Sequence, residues 1–86
     1  MPKPLPLRSG RIVARVFERA GWEWDRLHRG HLLYLRRGEP AVLSIPDHSV
    51  IYPDTLRQLL RIASMTNEEY LRHLDAIEDL DRRERS

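Results

Sequence analysis

Residues 26–34 decide the fold, and they read Arg26-Leu27-His28-Arg29-Gly30-His31-Leu32-Leu33-Tyr34. A glycine between two runs of strand-forming residues predicts a β-hairpin whose tight turn is centred on Arg29-Gly30. This hairpin would crowd Arg26, His28 and His31 into a small space. Imidazole exchanges protons near neutral pH, so a histidine in this cationic setting is a candidate for proton transfer.

The segment before the hairpin predicts a helix followed by the first strand. Ser9 is a good N-cap for a helix that runs to about Ala20, and Gly21 then suits a left-handed C-terminal cap. One apolar stripe follows helical spacing, at Ile12, Val13, Val16, Phe17 and Ala20. Residues 22–27 alternate at first, which predicts a strand whose Trp22 and Trp24 share a face. Packing of both rings against the helix is favoured over the alternative, stacking on RNA bases. Arg26 and Leu27 break that alternation.

The segment after the hairpin predicts two more strands and two more helices. Strands are expected at Leu32–Arg36 and Ala41–Ile45, separated by a turn at residues 37–40. A loop over residues 46–51 carries His48, and a helix begins near Pro53. Thr66 and Glu69 have the spacing of a capping box, which opens a last helix to about Leu80. The predicted fold class is α+β, in the order α-β-β-β-α-α, with helices on one face of a three-stranded antiparallel sheet.

Length and composition indicate one small domain. We expect an extended arm at residues 1–8, a domain at residues 9–81 and a frayed charged tail at residues 82–86. The chain has no cysteine, which excludes disulfides and thiolate chemistry, and no long apolar run. A cytoplasmic location is therefore expected. Residues 1–37 hold nine basic and three acidic side chains, a balance that attracts phosphate backbones.

His31 is the leading catalytic candidate from the residues alone. Its imidazole could take the proton of a ribose 2′-OH as that oxygen attacks the neighbouring phosphate, with Arg26 and Arg29 holding the phosphate. The alternative is a histidine at a strand edge that only packs or forms hydrogen bonds. His28 could tune His31 or contact phosphate, and His48 could approach the hairpin if the fold brings it there. For both histidines the residues alone favour the alternative, a solvated surface residue. No metal site and no cofactor are expected.

The order of several short motifs resembles one known family, the HicA toxins of bacterial and archaeal toxin–antitoxin modules. The matching segments run from about Ser9 to Leu71, and they are Ser9-Gly10, Ala20-Gly21-Trp22-Glu23, Arg26, His31 with Tyr34, Ile45-Pro46-Asp47-His48, Pro53-Asp54-Thr55-Leu56-Arg57 and Thr66-Asn67-Glu68-Glu69-Tyr70. Two segments in this range depart from the usual pattern. Arg29-Gly30 stands where Gly-Ser is usual, and Asp54 stands where a glycine is usual.

The resemblance implies a fold like that of double-stranded-RNA-binding domains and a metal-independent ribonuclease that cleaves mRNA. It also implies neutralisation by a HicB-like antitoxin, as a toxin–antitoxin hetero-oligomer. The family's catalytic histidine falls on His31, and the expected RNA contacts are Arg26, His28, Arg29, Arg36 and His48. Two alternatives remain at this point. They are a non-catalytic RNA-binding module of the same fold and a protein-interaction domain for which RNA is irrelevant.

Overall fold

A computed structural model describes residues 4–85 of the chain. The elements are α1 (Gly10–Arg19), β1 (Glu23–His28), β2 (His31–Leu35), β3 (Leu43–Pro46), α2 (Pro53–Ile62) and α3 (Asn67–Arg85). The strands form one antiparallel sheet in the order β1-β2-β3. The predicted α+β class and element order are therefore confirmed. Residues 1–3 of the expected arm and Ser86 of the expected tail lie outside the described residues.

Local signals in the sequence account for where most elements begin and end. The side chain of Ser9 accepts a hydrogen bond from the backbone N–H of Ile12, which caps α1. Thr66 and Glu69 exchange two side-chain to backbone hydrogen bonds of 3.1 Å, which is the reciprocal geometry of a capping box. Pro53 occupies the first turn of α2, where its missing N–H costs nothing.

The hydrophobic core lies between the helices and one face of the sheet. Leu32 and Tyr34 of β2 and Leu43 and Ile45 of β3 are almost fully buried in it. The three helices contribute the rest, mainly through Val13, Val16, Phe17, Leu56, Leu59, Leu60, Tyr70, Leu74 and Ile77. Because side chains alternate along a strand, His31, Leu33 and Leu35 point to the opposite face, here called the outer face.

The predicted ends of three elements were wrong. β3 begins at Leu43, not at Ala41, and β2 ends at Leu35, not at Arg36. The last helix continues to Arg85, through the residues expected to fray. Arg15 of α1 forms a two-pronged ion pair with Asp81, and Arg82 pairs with Asp79. These contacts stabilise the last turns of α3, where arginine and glutamate are themselves good helix formers.

The expected burial of both tryptophans is right for Trp22 and wrong for Trp24. Trp22 is 2% exposed, whereas Trp24 is 52% exposed. Trp24 does lie on the helix side, since its partner in β2 is the buried Tyr34 and the two rings meet edge-on at 5.7 Å. The helix α1 packs over β3 and against α3, so the helix side of β1 stays uncovered.

None of the described helices is long and apolar enough to cross a membrane.

Candidate functional site

A β-bulge in β1 decides which side chains share a face with His31. Trp24 pairs with Tyr34, but Arg26 pairs with Leu33, so the intervening Asp25 is an extra residue. Without it, the regular pairing would place Arg26 opposite Leu32, on the helix side of the sheet. The bulge instead puts Arg26 on the outer face, and it explains why Arg26 and Leu27 break the alternation in the sequence.

The hairpin turn places His28 directly opposite His31. Arg29 and Gly30 both have positive φ angles, of 50° and 77°, which is the signature of a type I′ turn. The register pairs His28 with His31, so the two imidazoles stand side by side on the outer face. His28 is exposed and His31 is half-buried. The predicted turn thus brings Arg26, His28 and His31 together on one surface.

The ring of His31 lies within hydrogen-bond distance of the backbone of its own turn. Its Nδ1 atom lies 3.2 Å from the carbonyl oxygen of Arg29. In the tautomer that donates from Nδ1 to this carbonyl, the neutral ring has a free lone pair at Nε2. That tautomer would accept a proton at Nε2.

The loop that follows β3 lies beside the turn of the hairpin. His31 pairs with Pro46, and the backbone N–H of Asp47 donates to the carbonyl oxygen of Gly30 at 2.9 Å. His48 follows directly and is exposed. The loop in turn is held by α1, because the N–H of Gly10 donates to the carbonyl oxygen of His48 at 2.9 Å. The backbone of His48 is thus held near the hairpin. This position is the condition under which His48 could take part in the site.

An ion pair fixes the same loop from the side chain of α1. The guanidinium of Arg11 contacts both carboxylate oxygens of Asp47, at 3.1 and 2.9 Å. This hydrogen-bonded pair holds the pKa of Asp47 below its ordinary value. Arg11 and Asp47 could not be predicted from the sequence, since nothing in their local pattern indicates a contact between residues 36 positions apart.

The remaining basic candidates have different surroundings. Arg29 is exposed at the turn, and the guanidinium of Arg26 contacts the neighbouring Asp25 at 2.7 Å while remaining largely exposed. Arg36 follows the other end of β2 and covers the ring of Trp22 at 4.8 Å, with Glu39 as an ion-pair partner at 3.5 Å. Its placement favours a packing role, and the structure does not bring it to the histidines.

Within residues 4–85, no group of three or more histidine, aspartate or glutamate side chains is arranged to hold a metal ion. The surface exposes imidazole and guanidinium groups, which are capable of proton transfer and of binding an anion such as phosphate.

Comparison with known proteins gives one family. The family model described as HicA toxin of bacterial toxin–antitoxin matches residues 10–65. The matched range covers α1, the whole sheet and α2, and it contains every residue of the candidate surface. No curated protein and no solved structure matches the chain significantly.

Proposed function

The chain belongs to the HicA toxins of bacterial toxin–antitoxin systems, and we propose that it acts as a metal-independent endoribonuclease that cleaves mRNA. The observation that supports this most is the pairing of His28 with His31 on the outer face, with Arg26 beside them. A ribonuclease without a metal ion needs a base, an acid and a cation for the phosphate.

In the proposed reaction, His31 acts on the ribose next to the scissile phosphate. Nε2 of His31 takes the proton of the 2′-OH, and the oxygen attacks the phosphorus. The bond from phosphorus to the 5′ oxygen breaks, which leaves a 2′,3′-cyclic phosphate on one product. The departing oxygen takes a proton and becomes a 5′-OH, and His28 in its imidazolium form is the proposed donor. The two histidines then exchange their protonation states through solvent.

The proposed phosphate contacts are Arg26 and Arg29, with His48 as an auxiliary residue. The ion pair of Arg26 with Asp25 does not prevent this role. Exposed ion pairs contribute little, at most about 1 kcal/mol, so a phosphate can take the place of the carboxylate. Arg29 projects from the turn next to His31 and has the exposure that a phosphate contact needs.

The proposed protein partner is a HicB-like antitoxin that covers the outer face. Family membership implies an antitoxin in general. The candidate histidines and arginines lie on one exposed face, so an antitoxin bound to that face would cover all of them at once. Because mRNA is the proposed substrate, the proposed location is the cytoplasm.

The chemical identity of the products tests the mechanism. Purified protein is incubated with a defined single-stranded RNA in EDTA, and both new ends are analysed. The proposal predicts a 2′,3′-cyclic phosphate and a 5′-OH, with no loss of rate in the chelator. A 5′-phosphate end, or activity abolished by EDTA and restored by a divalent metal, would contradict it. An RNA with a 2′-deoxy substitution at the cleaved position serves as the control and should remain intact.

A further inference from the structure

One strip of the sheet exposes apolar side chains on the side where the core should lie. Trp24 and Leu27 of β1 are 52% and 54% exposed, although both pair with buried residues of β2. A cleft with a volume of about 410 Å³ lies between Trp24 and α1. Its lining is completed by Leu32 and Tyr34 below and by Arg11, Ala14, Arg15 and Glu18 of α1.

The strand that carries this strip is an edge strand. β1 pairs with β2 on one side, and all six of its residues are exposed. An edge with unpaired backbone groups beside exposed apolar side chains is a template for another strand. A single bound strand could therefore pair with the backbone of β1 and also cover Trp24 and Leu27.

We propose that this occupant is β1 of a second copy of the chain. The sequence Glu23-Trp24-Asp25-Arg26-Leu27-His28 is complementary to itself when two copies run antiparallel around a two-fold axis between Asp25 and Arg26. Glu23 then faces the second copy's His28, Trp24 faces its Leu27, and Asp25 faces its Arg26. Every pair joins opposite charges, acid with imidazole, or two apolar side chains, and each occurs twice by symmetry.

The faces of the strand agree with this register. Trp24 and Leu27 both lie on the helix side of the sheet, so their contact would cover the exposed strip. Glu23 pairs with Leu35 and His28 with His31, which places both on the outer face, where they would meet. The bulge at Asp25 makes this agreement possible, because without it Trp24 and Leu27 would lie on opposite faces.

The neighbouring registers are much poorer. A shift that centres the axis on Asp25 places that carboxylate against its own copy and Glu23 against Leu27. Centring the axis on Arg26 places two guanidinium groups together and Trp24 against His28. Like charges directly opposite each other are destabilising. Of these three antiparallel registers, the sequence of β1 thus favours the one with the axis between Asp25 and Arg26.

The polar groups around the cleft favour a strand over RNA as the occupant. Arg11 is held by Asp47 and Arg15 by Asp81, each through two hydrogen bonds. The hydroxyl of Tyr34 donates to Glu18 at 2.8 Å. The cations that line the cleft, Arg11 and Arg15, are therefore already paired with carboxylates of the same chain. The apolar side chains of the cleft have no such partner and would gain most from being buried.

The resulting dimer would contain one continuous six-stranded sheet. A two-fold axis that relates antiparallel neighbours within a sheet keeps equivalent faces on the same side. Both outer faces, each with its His28 and His31, would then form a single surface.

A designed disulfide tests the register directly. The chain has no native cysteine. In the double variant Glu23→Cys/His28→Cys, the two thiols of one chain are about 16 Å apart along β1, too far to bridge within the chain. In the proposed dimer each thiol faces one from the second copy, at a spacing that suits a disulfide. We expect a covalent dimer on a non-reducing gel after mild oxidation. Neither single variant should form one efficiently, because no residue of β1 faces its own copy.

A charge-swap cycle tests the same pairing without cysteine. Sedimentation equilibrium from about 1 µM to about 1 mM gives the dimer dissociation constant. Asp25→Arg and Arg26→Asp should each raise it at least about tenfold, and the double variant Asp25→Arg/Arg26→Asp should restore it, since opposite charges again face each other.

Three results would overturn the proposal. They are a wild-type protein that stays monomeric throughout this range, a dimer indifferent to both single swaps, and equal cross-linking by the single cysteine variants. A monomer whose Trp24 emission is quenched by a single-stranded oligonucleotide would also overturn it and would assign the strip to RNA.

Discussion

The backbone N–H of Gly10 donates a hydrogen bond to the carbonyl oxygen of His48 at 2.9 Å, which ties the start of α1 to the loop beside the histidine hairpin. The approach is so close that a Cβ atom on Gly10 would lie 2.0 Å from the carbonyl oxygen of Pro46. A side chain at position 10 therefore cannot fit unless α1 and the loop separate.

Gly10→Ala should accordingly destabilise the fold by about 2 kcal/mol or more, the scale of an overpacked core position. Urea unfolding followed by circular dichroism measures the change. Gly30→Ala is the matched control, because a Cβ there meets no atom within 4 Å and only the positive φ of 77° opposes it. That backbone cost is about 1–2 kcal/mol. A Gly10→Ala variant as stable as the wild type would show that the loop is not held by α1.

Arg29 occupies a left-handed conformation, with φ of 50°, that a long side chain adopts only with strain. Arg29→Asn should raise the free energy of unfolding by about 1 kcal/mol, because asparagine tolerates this conformation. The same change should weaken binding to a non-cleavable RNA and lower its salt dependence by about one phosphate contact. Arg37→Asn, at an exposed arginine beyond the other end of β2, is the control for loss of charge. Unchanged RNA affinity in Arg29→Asn would remove Arg29 from the phosphate site.

Tyr34 links the sheet to α1 through its hydroxyl, which donates to Glu18 at 2.8 Å. Burial and this hydrogen bond to Glu18 raise the pKa of Tyr34 above its ordinary value, so the hydroxyl stays protonated. Tyr34→Phe should cost about 1 kcal/mol of stability, the net value of one such bond. Tyr52→Phe, at a side chain that is 65% exposed, should cost nothing measurable. Equal stabilities of the two variants in thermal unfolding would contradict this role.

Acid should weaken the fold through three carboxylates. The hydrogen bond from Arg11 lowers the pKa of Asp47, that from Arg15 lowers the pKa of Asp81, and the backbone N–H of Thr66 lowers the pKa of Glu69. A carboxyl group whose pKa is lower in the folded state stabilises that state fully above its unfolded pKa, near 4 for both residue types. The contribution disappears as the pH falls through the folded pKa.

Asp81→Asn isolates one of these contributions. The variant should be less stable than the wild type at neutral pH, and the difference should shrink as the pH falls from about 5 to about 2, where Asp81 itself loses its charge. Urea unfolding at a series of pH values measures it. A difference that does not vary with pH would mean that the Arg15 ion pair does not contribute to stability.

Local chemistry made much of the fold predictable from the sequence. Ser9 caps α1, the pair Thr66 and Glu69 opens α3, and Arg29-Gly30 forms the turn, because each signal acts within a few residues. The turn also brings His28 and His31 together, which is why the candidate surface could be anticipated. The same local reasoning could place His48 only conditionally.

Long-range packing decided the rest. The exposure of Trp24 depends on where α1 rests, and no pattern within β1 records that. The loop position of His48 depends on Gly10, 38 residues earlier. The bulge at Asp25 is visible in the sequence, because the alternation of apolar and polar residues fails at Arg26 and Leu27. Which side chains it moves to the outer face could be determined only from the strand register in the structure.

The role of His31 in the proposed RNA cleavage can be tested by comparing three proteins. Cleavage of a single-stranded RNA in EDTA is measured for the wild type, His31→Ala and His73→Ala, with folding verified by circular dichroism. His73 lies on α3, where its ring nitrogen faces Arg19 at 3.4 Å, so it controls for the loss of an imidazole elsewhere. The account predicts cleavage by the wild type and His73→Ala, with a loss of at least about 100-fold in His31→Ala. Equal rates for His31→Ala and the wild type would contradict it.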